Sequence, residues 1–316
     1  MKRFLFPLLL ICLFGSSVSA TEQPAPQVVV SIKPLYSLVA GLMEGVGQPQ
    51  LLINGGGSPH GYSLRPSEAV ALADAQLIVW VGPGLEGFLE KALATLSPTA
   101  VQLELSQRLQ PYLLPARSGG TWEKHEHHDE GEHAEQHHDH AEADLDHFDP
   151  HIWLSPAMAE KIVALCKDAL IAVDPAHQDN YRANAARVTE RLRTLDRELR
   201  QQLAPVKDTP YIVFHAAYQY FEATYGLNAV GSVTISPDHK PGVKRILAIR
   251  DKIKSLHARC VFSEPQFQSN LVKTIIEGTD TRTGVLDPLG ADLPANQDTY
   301  FVLLHRLADN LYQGLH

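Results

Sequence analysis

The sequence predicts an α/β protein with two lobes, each a parallel β-sheet flanked by helices, joined by one long rigid helix. In both halves of the chain, short β-branched runs alternate with amphipathic stretches, an order typical of parallel sheets with helices on their faces. Between the halves, residues 178–203 contain no glycine or proline and repeat their apolar residues at spacings of three and four. At about 1.5 Å per residue this stretch forms a rod of roughly 39 Å, which can link two lobes stiffly.

The first part of the chain is predicted to be a leader followed by a β/α lobe. In residues 1–20, Lys2 and Arg3 precede an apolar run that ends in Val18-Ser19-Ala20, the pattern of a cleavable signal peptide. The apolar run is too short for a permanent membrane span. Residues 21–120 are predicted to form the N-terminal lobe. Its predicted strands are 28–32, 50–53, 77–81 and 100–103, and its predicted helices are 36–44, 67–73 and 88–96.

Residues 121–149 have a different composition and are predicted to be a disordered insertion. They are rich in acidic residues and almost without apolar residues, so they cannot form a core. Half of the sixteen histidines lie here. They are His125, His127, His128, His133, His137, His138, His140 and His147. Many ligands without a preformed geometry are expected to bind metal ions weakly, and the alternative interpretation is a solvated acidic linker.

The remaining chain is predicted to complete the first lobe and to build the second. Residues 150–176 contain a helix, 157–173, that Asp174-Pro175 ends. Residues 177–205 form the linking helix, and residues 206–316 form the C-terminal lobe. Its predicted strands are 211–214, a strand within 227–235, 260–262 and 282–286, and its predicted helices are 216–225, 243–256, 269–277 and 297–312.

Composition and charge restrict the possible partners. The chain is 44% hydrophobic and 20% charged, which is globular, and its net charge is −9. It has no basic patch and no nucleic-acid motif, so nucleic acid is excluded as a partner, and the negative charge suits cations. Outside the leader, Cys166 and Cys260 are far apart in sequence, which favours two buried thiols over a disulfide.

Four residues stand out as candidate metal ligands. His60, His215 and Asp287 follow predicted strands, and ligands of parallel sheets bind outside the carboxyl ends of the strands. His151 lies between the Asp149-Pro150 turn and a predicted helix start, where the backbone has little freedom. Three imidazoles and a carboxylate suit Zn²⁺ above other divalent ions, at about 2.0–2.2 Å per bond. On spacing alone, four unrelated loop residues remain an equal alternative.

Five motifs carry a resemblance to a known family. The chain resembles the metal-binding solute receptors of bacterial ABC importers, the periplasmic zinc-binding family known as ZnuA. The motifs are PHGYSLRPS at 59–67, DPHIWLSP at 149–156, FHAAYQYF at 214–221, EPQF at 264–267 and VLDPLG at 285–290. The resemblance implies a soluble, monomeric periplasmic receptor that captures Zn²⁺ in an interlobe site. It also implies delivery of the ion to an ABC permease in the inner membrane for zinc uptake.

The resemblance also implies roles for individual residues. It places the metal ligands at His60, His151 and His215, with Asp287 as a nearby carboxylate. Manganese-binding relatives carry a carboxylate at the position of His215, so this histidine favours zinc. Some zinc receptors have an acidic residue directly before the first histidine, but here that residue is Pro59, so the fourth ligand is expected to be Asp287 or water.

Other polar residues are expected to have lesser roles. Glu264 is expected to shape the cleft without binding the ion, and the insertion histidines are expected to be accessory weak sites. Four further histidines are expected to be ordinary surface residues: His177, His239, His257 and His305.

Two alternative functions follow from the same residues. A manganese receptor or a surface adhesin would have the same fold. A zinc hydrolase would also place three protein ligands and a water on the metal. The chain has no His-Glu-x-x-His motif and no evident general base near a ligand, so we expect a receptor and not an enzyme.

Overall fold

The computed structural model describes residues 24–117, 122, 148–234, 242–267 and 270–316. The predicted leader, the eight histidines of the insertion and His239 lie outside the described residues. The described chain contains two four-stranded sheets, and every strand pair in them is parallel. The predicted fold class is therefore confirmed.

The N-terminal sheet has the strand order β2-β1-β3-β4. Its strands are β1 (Val28–Val30), β2 (Gln50–Leu51), β3 (Leu77–Trp80) and β4 (Val101–Glu104). Strands β1 and β3 are buried throughout, as expected for central strands that are covered on both faces. The helices of this half are α1 (Lys33–Leu42), α2 (Pro66–Asp74), α3 (Pro83–Leu96) and the short α4 (Leu105–Leu109). A proline lies in the first turn of α1, α2 and α3, where its missing N–H costs no helical hydrogen bond.

The linking helix is the longest element and packs along both halves of the molecule. After α5 (Pro156–Val173), helix α6 (Gln178–Leu203) runs for 26 residues. It contacts α1 and α5 on the N-terminal side and α10 on the C-terminal side. Its buried stripe consists of Tyr181, Ala185, Val188, Leu192, Leu195, Leu199 and Leu203. The helix is therefore anchored to both lobes over its length instead of bridging a gap between them.

The C-terminal sheet repeats the topology of the first. Its order is β6-β5-β7-β8, so in each half the first strand lies between the second and the third. The strands are β5 (Tyr211–Val213), β6 (Ala229–Ser232), β7 (Cys260–Ser263) and β8 (Arg282–Val285). The helices are α7 (Gln219–Tyr225), α8 (Val243–Leu256), α9 (Asn270–Ile276) and α10 (Thr299–Leu315).

Polar contacts and a shared core fix the two lobes against each other. The buried Lys33 ammonium, at the start of α1, donates to the carbonyl oxygens of Gly290 at 2.6 Å and Leu293 at 2.7 Å in the opposite lobe. The Trp153 indole N–H donates to the Pro288 carbonyl at 2.8 Å. One continuous apolar cluster contains residues from both sheets and from α6. A site between the lobes is therefore built on a rigid frame.

The two cysteines among the described residues are buried free thiols, as predicted. Cys166 and Cys260 are both fully buried and unpaired by a disulfide. Burial raises the pKa of each thiol to about 12, so both remain protonated and unreactive at neutral pH. Within the described ranges, no helix combines the length and apolar character that a membrane span requires.

Candidate metal centre

Three of the four predicted ligands converge between the lobes. The Nε2 atom of His151 lies 3.4 Å from Nε2 of His60 and 3.3 Å from Nε2 of His215. One nitrogen atom of each ring lies within 4.8 Å of a nitrogen atom of both other rings. Three imidazole nitrogens at such distances can bind a single small cation, because a cation placed between them is close to all three.

Local backbone structure positions each histidine. His60 lies in a 3₁₀ turn, Pro59–Gly61, where the Ser58 hydroxyl accepts a hydrogen bond from the His60 N–H at 3.3 Å. His151 directly precedes the 3₁₀ turn Ile152–Leu154, and its N–H donates to Asp149 Oδ1 at 3.0 Å. His215 follows β5, and the strands β6 and β7 lie on opposite sides of β5 in the sheet. The strand order therefore reverses at β5, and parallel sheets bind ligands at such a point.

Buried carboxylates orient two of the three rings. Asp149 Oδ1 lies 2.7 Å from Nδ1 of His151, and Glu264 Oε1 lies 2.6 Å from Nδ1 of His215. Asp149 is 4% exposed and Glu264 is 3% exposed. A carboxylate that accepts from Nδ1–H fixes the tautomer, so the lone pair of each ring is on Nε2 and faces the centre.

These two carboxylates are the functional residues that sequence reasoning assigned least well. Asp149 appeared only as a turn residue, although its position two residues before His151 is the signal for an aspartate that bonds its own turn. Glu264 was expected to shape the cleft, and the structure places it outside the histidine cluster as a partner of His215. Its contact with His215 depends on β7 pairing with β5, which sequence spacing does not reveal.

The electrostatic environment favours neutral imidazole. Burial, followed by the neighbouring His215, lowers the pKa of His151 well below that of an exposed histidine. Metal ligands must be deprotonated, so this shift prepares His151 to bind a cation near neutral pH.

The rings face a small cavity with largely apolar walls. The cavity measures about 10 Å³, which is roughly the space that one water-sized sphere needs. Trp153, Phe267, Pro288 and Leu289 supply apolar surface around it. Such a shell limits access of bulk water and strengthens the attraction between a cation and its ligands.

Asp287 is not brought into the histidine cluster. Its Oδ1 accepts hydrogen bonds from Gln266 Nε2 at 2.9 Å and from the N–H groups of Leu289 and Gly290 at 3.0 Å each. Its Oδ2 accepts from the Ala291 N–H at 2.6 Å. The carboxylate therefore organises its own loop, and it is absent from the group of ligand atoms that the described residues form.

The other described histidines lie outside the centre. His177 is bonded to Asp174 at 2.7 Å, and His305 forms an ion pair with Glu198 at 3.4 Å. His257 ends α8 in the left-handed region with φ of 51°. None of these three belongs to the histidine cluster, and neither does His316, the remaining described histidine.

The fold and the cluster together define a solute-binding receptor for a metal ion. Two β/α lobes, held by one long helix, enclose three imidazoles that point to one centre. The family model described as zinc-uptake complex component A, periplasmic, matches residues 28–314, and the chain belongs to this family. The family consists of receptors for zinc transport and not of enzymes.

Individual relatives and solved structures agree with this assignment. The chain is 45% identical over 315 residues to the high-affinity zinc uptake system protein ZnuA of Brucella abortus (strain 2308), covering 94% of this chain and 93% of the relative. It is 38% identical over 290 residues to the protein of that name from Yersinia pestis, covering 89% of each. A crystal structure of ZnuA superposes with a TM-score of 0.76 at 25% identity, covering 92% of this chain and 100% of that chain. A zinc-bound ZnuA deletion mutant has the same fold, with a TM-score of 0.74 at 24% identity, covering 92% of this chain and 98% of that chain.

Proposed function

We propose that the protein captures Zn²⁺ between its lobes with high affinity and delivers it to an ABC permease for zinc uptake. The observation that carries this proposal is the convergence of three Nε2 atoms, two of them on rings backed by buried carboxylates. The ligands are His60, His151 and His215. Nitrogen donors in a tetrahedral set are the preference of zinc, whereas manganese prefers a set richer in oxygen.

Water is the fourth ligand in this proposal. The sequence left Asp287 and water open, and both carboxylate oxygens of Asp287 are engaged by four hydrogen-bond donors. Bringing the carboxylate to the ion would break several of these bonds. A water molecule as the fourth ligand requires no such change in the hydrogen bonds of Asp287.

The insertion acts as an accessory collector of zinc in this proposal. Pro115, shortly before the insertion, and Phe148, near its end, form an antiparallel bridge. Next to that bridge, the Tyr220 hydroxyl accepts from the Leu114 N–H at 2.9 Å and donates to the Asp149 carbonyl at 3.0 Å. The described residues that flank the insertion therefore lie close to the turn that carries His151.

The cellular setting and domain boundaries also belong to the proposal. The predicted leader and the family description support the periplasm as the location. The receptor is a monomer in this proposal, and its permease lies in the inner membrane. The proposed units are residues 21–120, 121–149, 150–176, 177–205 and 206–316. A manganese receptor or an adhesin of the same fold is the alternative, and metal competition separates the first of these from a zinc receptor.

The central test is calorimetric titration of the metal-stripped protein with Zn²⁺ and Mn²⁺, combined with native mass spectrometry. We expect one tight zinc equivalent that is lost in each of the variants His60→Ala, His151→Ala and His215→Ala, and kept in Asp287→Asn. His305→Ala is the matched control, because His305 also pairs with a carboxylate but lies outside the cluster. The assignment fails if the tight phase is intact in any of the three cluster variants.

A further inference from the structure

We propose that Gln266 is a specificity-determining residue that keeps Asp287 off the ion and orients the water that takes its place. This inference rests on the proposed function, because it concerns the fourth position of the same zinc site. Gln266 lies two residues after Glu264 and lines the histidine cavity. It also contacts Asp287, so its side chain lies at the boundary between the cavity and the carboxylate.

The orientation of the Gln266 amide follows from its partner. Asp287 Oδ1 lies 2.9 Å from the Gln266 amide nitrogen. An ionised carboxylate only accepts hydrogen bonds, so the donor Nε2 must face it and Oε1 must face elsewhere. The contact therefore leaves Oε1, and not Nε2, available to the cavity.

The remaining end of the amide lacks a partner among the described residues. Gln266 Oε1 is buried, and no described group donates a hydrogen bond to it. Buried polar atoms in proteins are nearly always satisfied by protein or by ordered water. A water bound to zinc is a strong donor, because the ion polarises its O–H bonds. Gln266 lines the cavity onto which the three rings open, so Oε1 is the unpartnered acceptor next to the proposed ion.

The loop around Asp287 shows why Gln266 is the decisive donor. Three of the four groups that donate to the carboxylate are backbone N–H groups of residues 289–291. The Lys33 ammonium holds this loop through the Gly290 and Leu293 carbonyls. Gln266 is the side-chain donor, and it is the one that also lines the cavity. Its removal frees a lone pair of Asp287 Oδ1 at the position that Gln266 occupies between the carboxylate and the cavity.

The chemical consequence is a change in metal preference. Both donor sets bind zinc, but a charged carboxylate oxygen in place of the neutral water makes the set harder, so affinity for Mn²⁺ should rise more than affinity for zinc. Gln266→Ala should therefore lower the ratio of zinc to manganese affinity by about tenfold, the effect of one hydrogen bond to a charged group. The decrease in this affinity ratio should require Asp287, because Asp287 supplies the new oxygen ligand.

The experiment is a double-mutant cycle on the full chain, with zinc and manganese affinities measured by competition. We expect a lower ratio in Gln266→Ala, little change in Asp287→Asn, and a wild-type ratio in the variant that carries both substitutions. Gln266→Met keeps the side-chain volume and should match Gln266→Ala, which covers the case in which the alanine variant folds poorly. Gln202→Ala is the matched control, because Gln202 Nε2 donates to Asp309 at 2.6 Å on the exposed face of α6.

A spectroscopic measurement reports the coordination directly. Co²⁺ in the wild-type site should give the intense visible bands of a four-coordinate ion, and the bands should shift in wavelength in Gln266→Ala as the Asp287 carboxylate replaces the water. An unchanged affinity ratio and spectrum in both Gln266 variants would overturn the inference and leave the three-histidine site standing. A lower ratio that persists after Asp287→Asn is added would also overturn it. Failure of the proposed function gives a different result, since tight zinc binding would then survive loss of the cluster histidines.

Discussion

Replacement of Glu264 by glutamine should weaken zinc binding although Glu264 does not reach the ion. Glu264 Oε1 lies 2.6 Å from Nδ1 of His215 and also receives the His215 N–H at 3.4 Å. The carboxylate thus fixes the ring, holds its proton on Nδ1 and increases the basicity of Nε2. Glutamine has nearly the same shape, so it keeps the packing but removes the negative charge.

The size of the effect follows from the geometry of this contact. The hydrogen bond is short and the carboxylate is 3% exposed, so solvent screens it little. Loss of an outer partner of a metal-bound histidine typically reduces affinity about 10–100-fold, or about 1.4–2.7 kcal/mol. Glu264→Gln should fall near tenfold, because the amide oxygen can still accept from Nδ1–H. Glu264→Ala should approach a hundredfold, because it also leaves the ring free to rotate.

Calorimetric titration with Zn²⁺ in competition with a chelator measures the change, and thermal unfolding confirms that each variant is folded. Glu198→Ala is the control. Glu198 pairs with His305 at 3.4 Å, and both side chains are about half exposed. This substitution should leave zinc affinity unchanged and alter stability by less than about 0.5 kcal/mol. Unchanged zinc affinity in both Glu264 variants would refute the role of the carboxylate.

Four further predictions test other parts of the account. His215→Glu should shift preference from zinc towards manganese, because a nitrogen donor becomes a hard oxygen; an unchanged affinity ratio in metal competition would contradict this. Zinc affinity should fall between about pH 7.5 and pH 5.5 as protons compete for the imidazoles, although the lowered pKa of His151 delays its own protonation; a flat calorimetric profile would exclude an imidazole site. Deletion of residues 123–146 should remove weak zinc equivalents in native mass spectra and keep the tight one, whose loss would mean that the insertion supplies a primary ligand. Burial raises the pKa of Glu86 from 4.5 to about 7, so the stability of the wild type falls as the pH rises across this range, because the unfolded chain loses this proton first. In urea unfolding, the free energy of unfolding of Glu86→Gln should therefore increase relative to that of the wild type between pH 5 and pH 8, by up to about 3 kcal/mol. A pH-independent difference between the two proteins would refute this.

Much of the fold follows from local sequence patterns. Helix α6 was predicted at 178–203 and observed there, because its apolar period is unbroken and it contains no glycine or proline. Helix α3 begins at Pro83, five residues before its predicted start. Its backbone is non-helical at Glu86 (φ −110°, ψ 55°), so its first residues do not share the regular helical period on which the prediction was based. Short elements such as Leu105–Leu109 were missed because a single turn has no recognisable period.

Tertiary contacts account for what the sequence left open. Ser155 directly precedes α5, a position where serine often caps a helix, but its hydroxyl contacts Thr224 of α7 at 3.1 Å and makes no capping hydrogen bond. The strand orders place β1 and β5 inside their sheets, and short buried runs carry no information on order. The contact between Lys33 and the loop after Asp287 spans more than half of the chain.

The candidate site was only partly predictable for the same reason. His60, His151 and His215 were identified because each occupies a distinctive turn or strand end. Whether Asp287 joins them depends on four hydrogen bonds from a neighbouring glutamine and from the loop backbone. Side-chain geometry of this kind is set by packing and not by spacing.

The central claim is that Zn²⁺ binds between the lobes to three imidazoles. A crystal structure of the zinc-loaded protein, with anomalous data collected on both sides of the zinc absorption edge, tests it most directly. The account predicts one strong anomalous peak within about 2.0–2.1 Å of Nε2 of His60, His151 and His215, with a water as the fourth ligand and Asp287 still bonded to Gln266. A principal peak outside this cluster, or one that lacks any of the three histidines, would contradict it.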